Sequence, residues 1–214
     1  MLKDIAIYGA GGFGREVACL IRLINEQSPQ WNLIGFFDDV KAVGTENEYG
    51  KVLGGIDALN AWEKPLDIAI AIGSPKTVQL IASKIENPLV EFPNLFAPTT
   101  IFLDRSNISF GKGNIICSRS LFSINVKVGD FNIFNSYNTI GHDVTIGNFN
   151  SLMPGARISG SVIIGNRNFF GCDSVVLQTL AIGNDTVIGA NSTVIRKTKD
   201  DTTYVGNPAV RVKY

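Results

Sequence analysis

From residue 110 to residue 194 a large apolar side chain recurs at every sixth position without a slip of phase. The series is Phe110, Ile116, Phe122, Val128, Phe134, Ile140, Ile146, Leu152, Ile158, Ile164, Phe170, Val176, Ile182, Ile188 and Val194. Hydrophobic residues make up 45% of the chain. Fifteen consecutive hits, allowing six phases, then have a chance probability on the order of a few in a hundred thousand. A period of six gives an α-helix no steady face, because it drifts around a turn of about 3.6 residues. Glycine follows the anchor at 111, 129, 141, 147, 165, 171, 183 and 189, and five of these (111, 129, 147, 165, 183) are spaced by eighteen. The residue four places after the anchor is small, β-branched or asparagine, as at Asn132, Val144, Asn150, Ala156, Ser174, Thr186 and Ser192, with bulky Leu180 the exception. Eighteen is three hexads. The pattern predicts a triangular coil of three short flat strands, stacked on the coil below, with each anchor pointing inward. The glycines and asparagines are expected to take the unusual backbone angles at the corners.

The first 92 residues follow a different grammar. A short apolar strand at 5–8 runs into Gly9-Ala10-Gly11-Gly12-Phe13-Gly14, after which Val17, Leu20, Ile21 and Ile24 recur at helical spacing. A second strand, 33–37, ends at Asp38-Asp39, and a third, 67–72, ends at Gly73-Ser74-Pro75 with proline placed to open a helix. This alternation predicts a small parallel α/β sheet. Pro93 and Pro98 mark the junction, giving an α/β domain over 1–92 and a repeat domain with a C-terminal tail over 93–214.

Bulk properties exclude several function classes. With 19 basic against 19 acidic residues and no run of like charge, tight unselective binding of nucleic acid through phosphates is not expected. No stretch approaches the roughly 20 apolar residues of a membrane span. The start MLKDIAIYGAGG is unlike a signal peptide. Cys19, Cys117 and Cys172 are odd in number, far apart and without CxxC spacing. Reduced thiols in the cytoplasm are expected, and neither a disulfide framework nor a zinc site.

The glycine-rich α/β domain, the repeated aliphatic-Gly-x-x-small-x hexad, Ile140-Gly141-His142-Asp143 in mid-repeat and Val205-Gly206-Asn207-Pro208-Ala209 near the end together resemble one family. It is the hexapeptide-repeat bacterial sugar acetyltransferases, which include nucleotide-4-aminosugar N-acetyltransferases and sialic acid O-acetyltransferases. The resemblance implies a Rossmann-like N-terminal domain followed by a left-handed parallel β-helix. It further implies a homotrimer with acetyl-CoA in grooves between adjacent β-helices, a nucleotide-sugar substrate held by the N-terminal domain, a role in surface-glycan biosynthesis and no metal.

His142 is the single histidine of the chain, two places after anchor Ile140, where a side chain should leave the coil. Acyl transfer from a thioester to an amine or hydroxyl needs a proton removed, and a neutral imidazole is suited to take it. The resemblance makes His142 the catalytic base and Asp143 the acid that raises its basicity. Neighbours in a flat strand point oppositely, so their contact requires a bend at a corner. Many relatives carry a second histidine where this chain has Ser151, so Ser151 is the candidate for a hydrogen bond to the thioester or pantetheine. Cys172 and Ala190 form one column with a spacing of one coil, along which the resemblance places coenzyme A. Gly11, Gly12, Phe13, Asp38, Asp39 and Gly73 correspond to the nucleotide-sugar pocket, with Asp38 where a Rossmann domain sets an acid on a ribose hydroxyl. Some relatives have histidine in place of Phe13.

Two other classes were open to the sequence. An NAD-dependent oxidoreductase would need two mononucleotide halves, and about 92 residues supply one. A β-helix that only binds a partner would leave the His142-Asp143 pair without purpose. Within the acetyltransferase class, N-acetylation of a nucleotide-linked amino sugar leads, with O-acetylation of a sialic acid or related sugar as its alternative.

Overall fold

A computed structural model describes residues 2–212, and the chain divides into two compact units, Met1–Pro98 and Thr99–Tyr214. The division falls six residues beyond the expected end of the first domain at 92.

In the first unit, β1 (Lys3–Tyr8), α1 (Gly12–Gln27), β2 (Trp31–Phe37), β3 (Glu46–Asn47), β4 (Gly50–Gly54), α2 (Ile56–Asn60), β5 (Leu66–Ile70), α3 (Pro75–Lys84) and β6 (Val90–Glu91) follow in order. They form a sheet of order β3-β4-β2-β1-β5-β6, parallel except for the β3–β4 pair. Ile5, Ala6 and Ile7 are completely buried, as a central strand covered on both faces requires. Helix α1 buries Val17, Ala18, Leu20, Ile21 and Ile24 as a single stripe. The chain moves from β1 through α1 to β2 on one side, and from β5 through α3 to β6 on the other. With right-handed crossovers the two helices cover opposite faces, so the order reverses between β1 and β5.

The second unit is a left-handed parallel β-helix. Every anchor is the second residue of a two-residue strand, from Ser109–Phe110 to Thr193–Val194. All are buried except the half-buried Phe110. From Ser109–Phe110 to Val175–Val176 each of these strands pairs in parallel with the strand eighteen residues on, as Val128 does with Ile146 and Ile140 with Ile158. The strands fall into three faces: a first containing Ser151–Leu152 and Phe169–Phe170, a second containing Thr139–Ile140 and Val175–Val176, and a third containing Thr145–Ile146 and Ile163–Ile164.

The corners differ from the sequence expectation. The left-handed residue is three places after the anchor, and it is seldom glycine. Arg119, Asn125, Phe131, Tyr137, Asp143, Phe149, Ser161, Arg167, Asp173, Thr179, Asp185 and Asn191 all have φ between 53° and 64°. The glycine beside the anchor answers a different demand. A Cβ on Gly129 would lie 2.7 Å from the Gly147 carbonyl oxygen, and one on Gly147 would lie 2.6 Å from that of Gly165. Adjacent coils approach too closely there for any side chain.

Asparagine four places after the anchor builds a ladder inside the helix. Asn132, Asn150 and Asn168 each donate their backbone N–H to the side-chain oxygen of the asparagine one coil earlier, at 2.8–2.9 Å. Asn132 and Asn150 pass their side-chain N–H₂ to the carbonyls of Gly147 and Gly165. These amides satisfy corner groups that no strand pairing reaches. The helix also starts earlier than the unbroken hexads. Ile101–Phe102 pairs with Leu121–Phe122, and a 3₁₀ turn at Arg105–Asn107 shifts the phase before Phe110. The last coil closes on Thr203–Val205, which pairs in parallel with Val187–Ile188 and antiparallel with Val210–Val212.

Candidate active site

His142 stands on the corner between the second and third faces, with its side chain 59% exposed. Anchor Ile140 is buried and Asp143 takes φ 58°, so the chain turns between the two polar residues and both project outward. The His142 Nδ1 and Asp143 Oδ2 atoms are 2.8 Å apart. Asn125, one coil earlier, donates Nδ2–H to Asp143 Oδ1 at 3.1 Å. The bond to His142, followed by that from Asn125, holds the Asp143 carboxyl below the usual aspartate range. An ionised carboxylate can only accept, so Nδ1 carries the proton and the Nε2 lone pair is left for chemistry. One coil later lies Gly160. A Cβ there would sit 2.5 Å from Nε2 and 2.6 Å from Cε1. The imidazole therefore rests against bare backbone, and the Ser161 N–H donates to the His142 carbonyl at 2.8 Å.

Cys172 and Ala190 are exposed neighbours on the corner between the first and second faces. Their coils touch directly, since Asn191 N–H donates to the Cys172 carbonyl at 2.7 Å and a Cβ on Gly171 would meet the backbone of Ala190. The second face of the prism lies between this column and His142, so one chain does not bring them together. Ser151 projects from the first face and is only 1% exposed. It presents no surface to a thioester, which removes the basis for giving it that contact. The missing second histidine has no substitute there.

In the first unit the four glycines of the loop divide by role. Gly9, at φ 108°, would bring a Cβ within 2.8 Å of the Ala71 carbonyl oxygen, and a Cβ on Gly14 would collide with the Gly9 backbone. These two make the turn and the strand–helix contact. A Cβ on Gly11, Gly12 or Gly73 meets nothing within 4 Å. No packing demands glycine at these three positions, which line the carboxyl ends of β1 and β5 where the strand order reverses. Helix α1 opens beneath them with no side-chain cap and no acid in its first turn. Its N–H groups suit an anion. Phe13 is half-buried in that turn.

The two aspartates hold the frame of this cradle. Asp38 Oδ2 accepts from Ala10 N–H at 2.9 Å, and Oδ1 accepts from Val40 and Lys41 N–H at 2.9 and 3.0 Å. Burial raises the Asp38 pKa, but the three amides and Lys41 outweigh it and leave the group below its ordinary value. Lys41 Nζ returns to the Ala10 carbonyl at 2.7 Å. Asp39 accepts from the Tyr8 hydroxyl at 2.7 Å and from Ile56 N–H at 2.8 Å. Burial, then the bond to Asp39, pushes the Tyr8 phenol well above its usual pKa. Both carboxylates brace the protein, Asp38 as a clamp on the glycine loop, and each keeps acceptor capacity that a ribose hydroxyl could use. A separate groove of about 770 Å³, lined by Leu2, Pro65 and Leu89 among others, lies at the amino ends of β1 and β5. It has neither a glycine cradle nor a helix N-terminus.

Residues 4–85 match the family described as the PglD N-terminal domain. The first unit is similar to that domain. The fold of the whole chain is PglD-like as well. The acetyltransferase domain of PglB from Neisseria gonorrhoeae FA1090 is 25% identical with a TM-score of 0.89, covering 98% of this chain and 100% of that one. WeeI from Acinetobacter baumannii AYE is 28% identical with a TM-score of 0.87, over 98% and 100%. PerB from Caulobacter crescentus, solved with CoA and GDP-perosamine, shares the fold at 24% identity and a TM-score of 0.87, over 100% and 99%. No curated protein matches the chain.

The first unit carries the glycine cradle and the second unit carries the imidazole. Two site residues escaped the sequence reading, Asn125 and Gly160. Each lies eighteen residues from a residue that the reading did single out, Asn125 from Asp143 and Gly160 from His142. Applying the coil period outward from the His-Asp pair finds both. Among the described residues no three His, Cys, Asp or Glu side chains group to hold a metal ion, and no helix is long and apolar enough to cross a membrane.

Proposed function

We propose that this protein is an acetyl-CoA-dependent N-acetyltransferase of a nucleotide-linked amino sugar in bacterial surface-glycan synthesis, with His142 as general base. The observation that carries the reading is the His142–Asp143 pair, which fixes one ring nitrogen and leaves the other open on an exposed corner. Its relatives support the substrates, since the Neisseria domain was solved with acetyl coenzyme A and the Caulobacter enzyme with CoA and GDP-perosamine. The diphosphate of the nucleotide sugar lies on Gly11, Gly12 and Gly73 at the N-terminus of α1. Nε2 takes a proton from the sugar amine as its nitrogen attacks the thioester carbonyl. The C–N bond forms, the C–S bond breaks, and the proton passes to the departing CoA sulfur.

The same reading calls for more than one copy of the chain. CoA along Cys172 and Ala190 occupies one corner of the prism and His142 another, so the thioester of one chain reaches the base of its neighbour in a homotrimer. It also places the enzyme in the cytoplasm, where CoA thioesters are made. The test is incubation with acetyl-CoA and a panel of nucleotide amino sugars, with products weighed. A single acetyl added to an amino sugar, and lost in His142→Ala by about 10²–10⁴-fold in kcat, is expected. Transfer only to hydroxyl acceptors would establish the O-acetyl alternative, and no transfer to any acceptor would overturn the reading.

A further inference from the structure

The Asp143 carboxylate has two oxygens, and each has one assigned partner: Oδ2 faces His142 and Oδ1 accepts from Asn125 Nδ2. Asn125 is one coil from Asp143 in the same corner column, and Asp143 N–H donates to the Ile124 carbonyl at 3.0 Å. The coil before therefore grips Asp143 at both its backbone and its side chain. We propose that Asn125 is a positioning residue for the acyl transfer, holding the Asp143 carboxylate in the one rotation that aims Oδ2 at Nδ1. The proposal rests on the reading of His142 as base and adds to it the group that sets its tautomer and direction.

The geometry supports more than a backbone role. Asn125 takes φ 55°, a conformation asparagine tolerates, and that alone would justify the residue. Yet the same left-handed position elsewhere in the helix holds Arg, Phe, Tyr, Ser and Thr, so the corner does not demand an amide. An exposed carboxylate held by one bond would rotate freely, since a corner open to water offers its second oxygen only solvent. The coils on either side present Ile124 and Asn125 before the pair and Gly160 and Ser161 after it, none of them charged. Asp143 is thus the one charged group among these that faces the ring, and its orientation governs how firmly the imidazolium is held.

The experiment uses the fact that His142 is the only histidine. With ¹⁵N-labelled histidine in the full-length protein, the single imidazole gives one pair of ring-nitrogen resonances, which report the tautomer of the neutral ring with no assignment step and no dependence on turnover. Two variants keep the left-handed corner. Asn125→Gly removes the donor and frees Asp143 to turn away, so the share of the ring with its proton on Nδ1 should fall. Asn125→Asp replaces the donor with a second acceptor that repels Asp143, and should lower that share as well. In both, kcat should fall about tenfold with the KM for acetyl-CoA unchanged, a part of the effect of removing the base itself. A role confined to the fold would move the melting temperature and leave the ring-nitrogen resonances alone. Resonances that coincide with the parent in both variants overturn the proposal. Failure of the base reading shows separately, as full kcat in His142→Ala.

Discussion

Gly160→Ala perturbs the imidazole without touching the fold. Gly160 has no positive φ, so alanine is conformationally acceptable, and its lower unfolded-state entropy favours the native state by up to about 1 kcal/mol. The added methyl carbon would lie 2.5 Å from Nε2, 2.6 Å from Cε1 and 3.0 Å from Cδ2 of His142. Contact at about 3.5 Å or more requires the ring to shift outward by about 1 Å. The ring is the free end of an exposed side chain, so it yields where a buried group would not. A shift of that size stretches the 2.8 Å contact with Asp143 and carries Nε2 off its line to the acceptor. Misplacement by about 1 Å in a near-attack arrangement costs up to about 10²-fold in rate. Steady-state kinetics should show kcat down by about 10- to 100-fold, the KM for acetyl-CoA within about twofold, and an unchanged or slightly raised melting temperature. Parental kcat with alanine at 160 would refute the seat assigned to the imidazole, whereas a collapsed melting temperature would refute its mobility.

Asp143→Asn removes the carboxylate that orients the imidazole through Nδ1 and should lower kcat by about tenfold with the KM for acetyl-CoA unchanged; parental kcat contradicts the pairing. Gly12→Leu fills open space above α1 and should raise the KM for the nucleotide sugar far more than that for acetyl-CoA, while equal rises would mean the cradle is misplaced. Asp38→Ala frees three backbone amides and should loosen the glycine loop and weaken nucleotide binding. Because the Asp38 pKa is depressed, the stability its bonds give is present above the ordinary aspartate value of about 3.9 and is lost as pH falls below it. Calorimetric titration with nucleotide at pH 7 checks the first statement, and the difference in melting temperature between parent and variant, which should be present at pH 7 and shrink below about pH 3, checks the second. Gly129→Ala, in contrast to Gly160→Ala, places its methyl 2.7 Å from a backbone carbonyl that cannot swing aside, and should cost about 1–3 kcal/mol in denaturant unfolding.

The β-helix was legible because its period is enforced by burial, and each inward anchor must be apolar whatever its neighbours are. The corners were not. Their left-handed residues include Phe131, Tyr137 and Arg167, which no turn propensity selects, because the stacked coil imposes the conformation from outside. Phe102 was missed for a related reason. The 3₁₀ turn at Arg105–Asn107 breaks the phase, and a search locked to six residues cannot cross it. His142 and Asp143 stood out by residue type and by likeness to a family, whereas Asn125 and Gly160 resemble every other corner residue until the coils are laid side by side. Asp38 and Asp39 lie in the expected place with an added employment. Sequence position shows that they follow β2, and only the hydrogen bonds show that they also brace Ala10, Lys41, Tyr8 and Ile56.

The hairpin at the end of the β-helix bears on solubility. A stack of identical parallel coils has no intrinsic stopping point, since its terminal rung offers the same row of N–H and C=O groups that every internal rung uses to seat the next. Left bare, such a rung is a template on which another molecule could add in register, and head-to-tail growth would follow. Val210–Val212 lies antiparallel along Thr203–Val205, with a chain direction and spacing that no coil of the repeat can continue. The strand breaks the translational symmetry on the first face at that end of the stack, where a bare rung would otherwise offer the next molecule a seat.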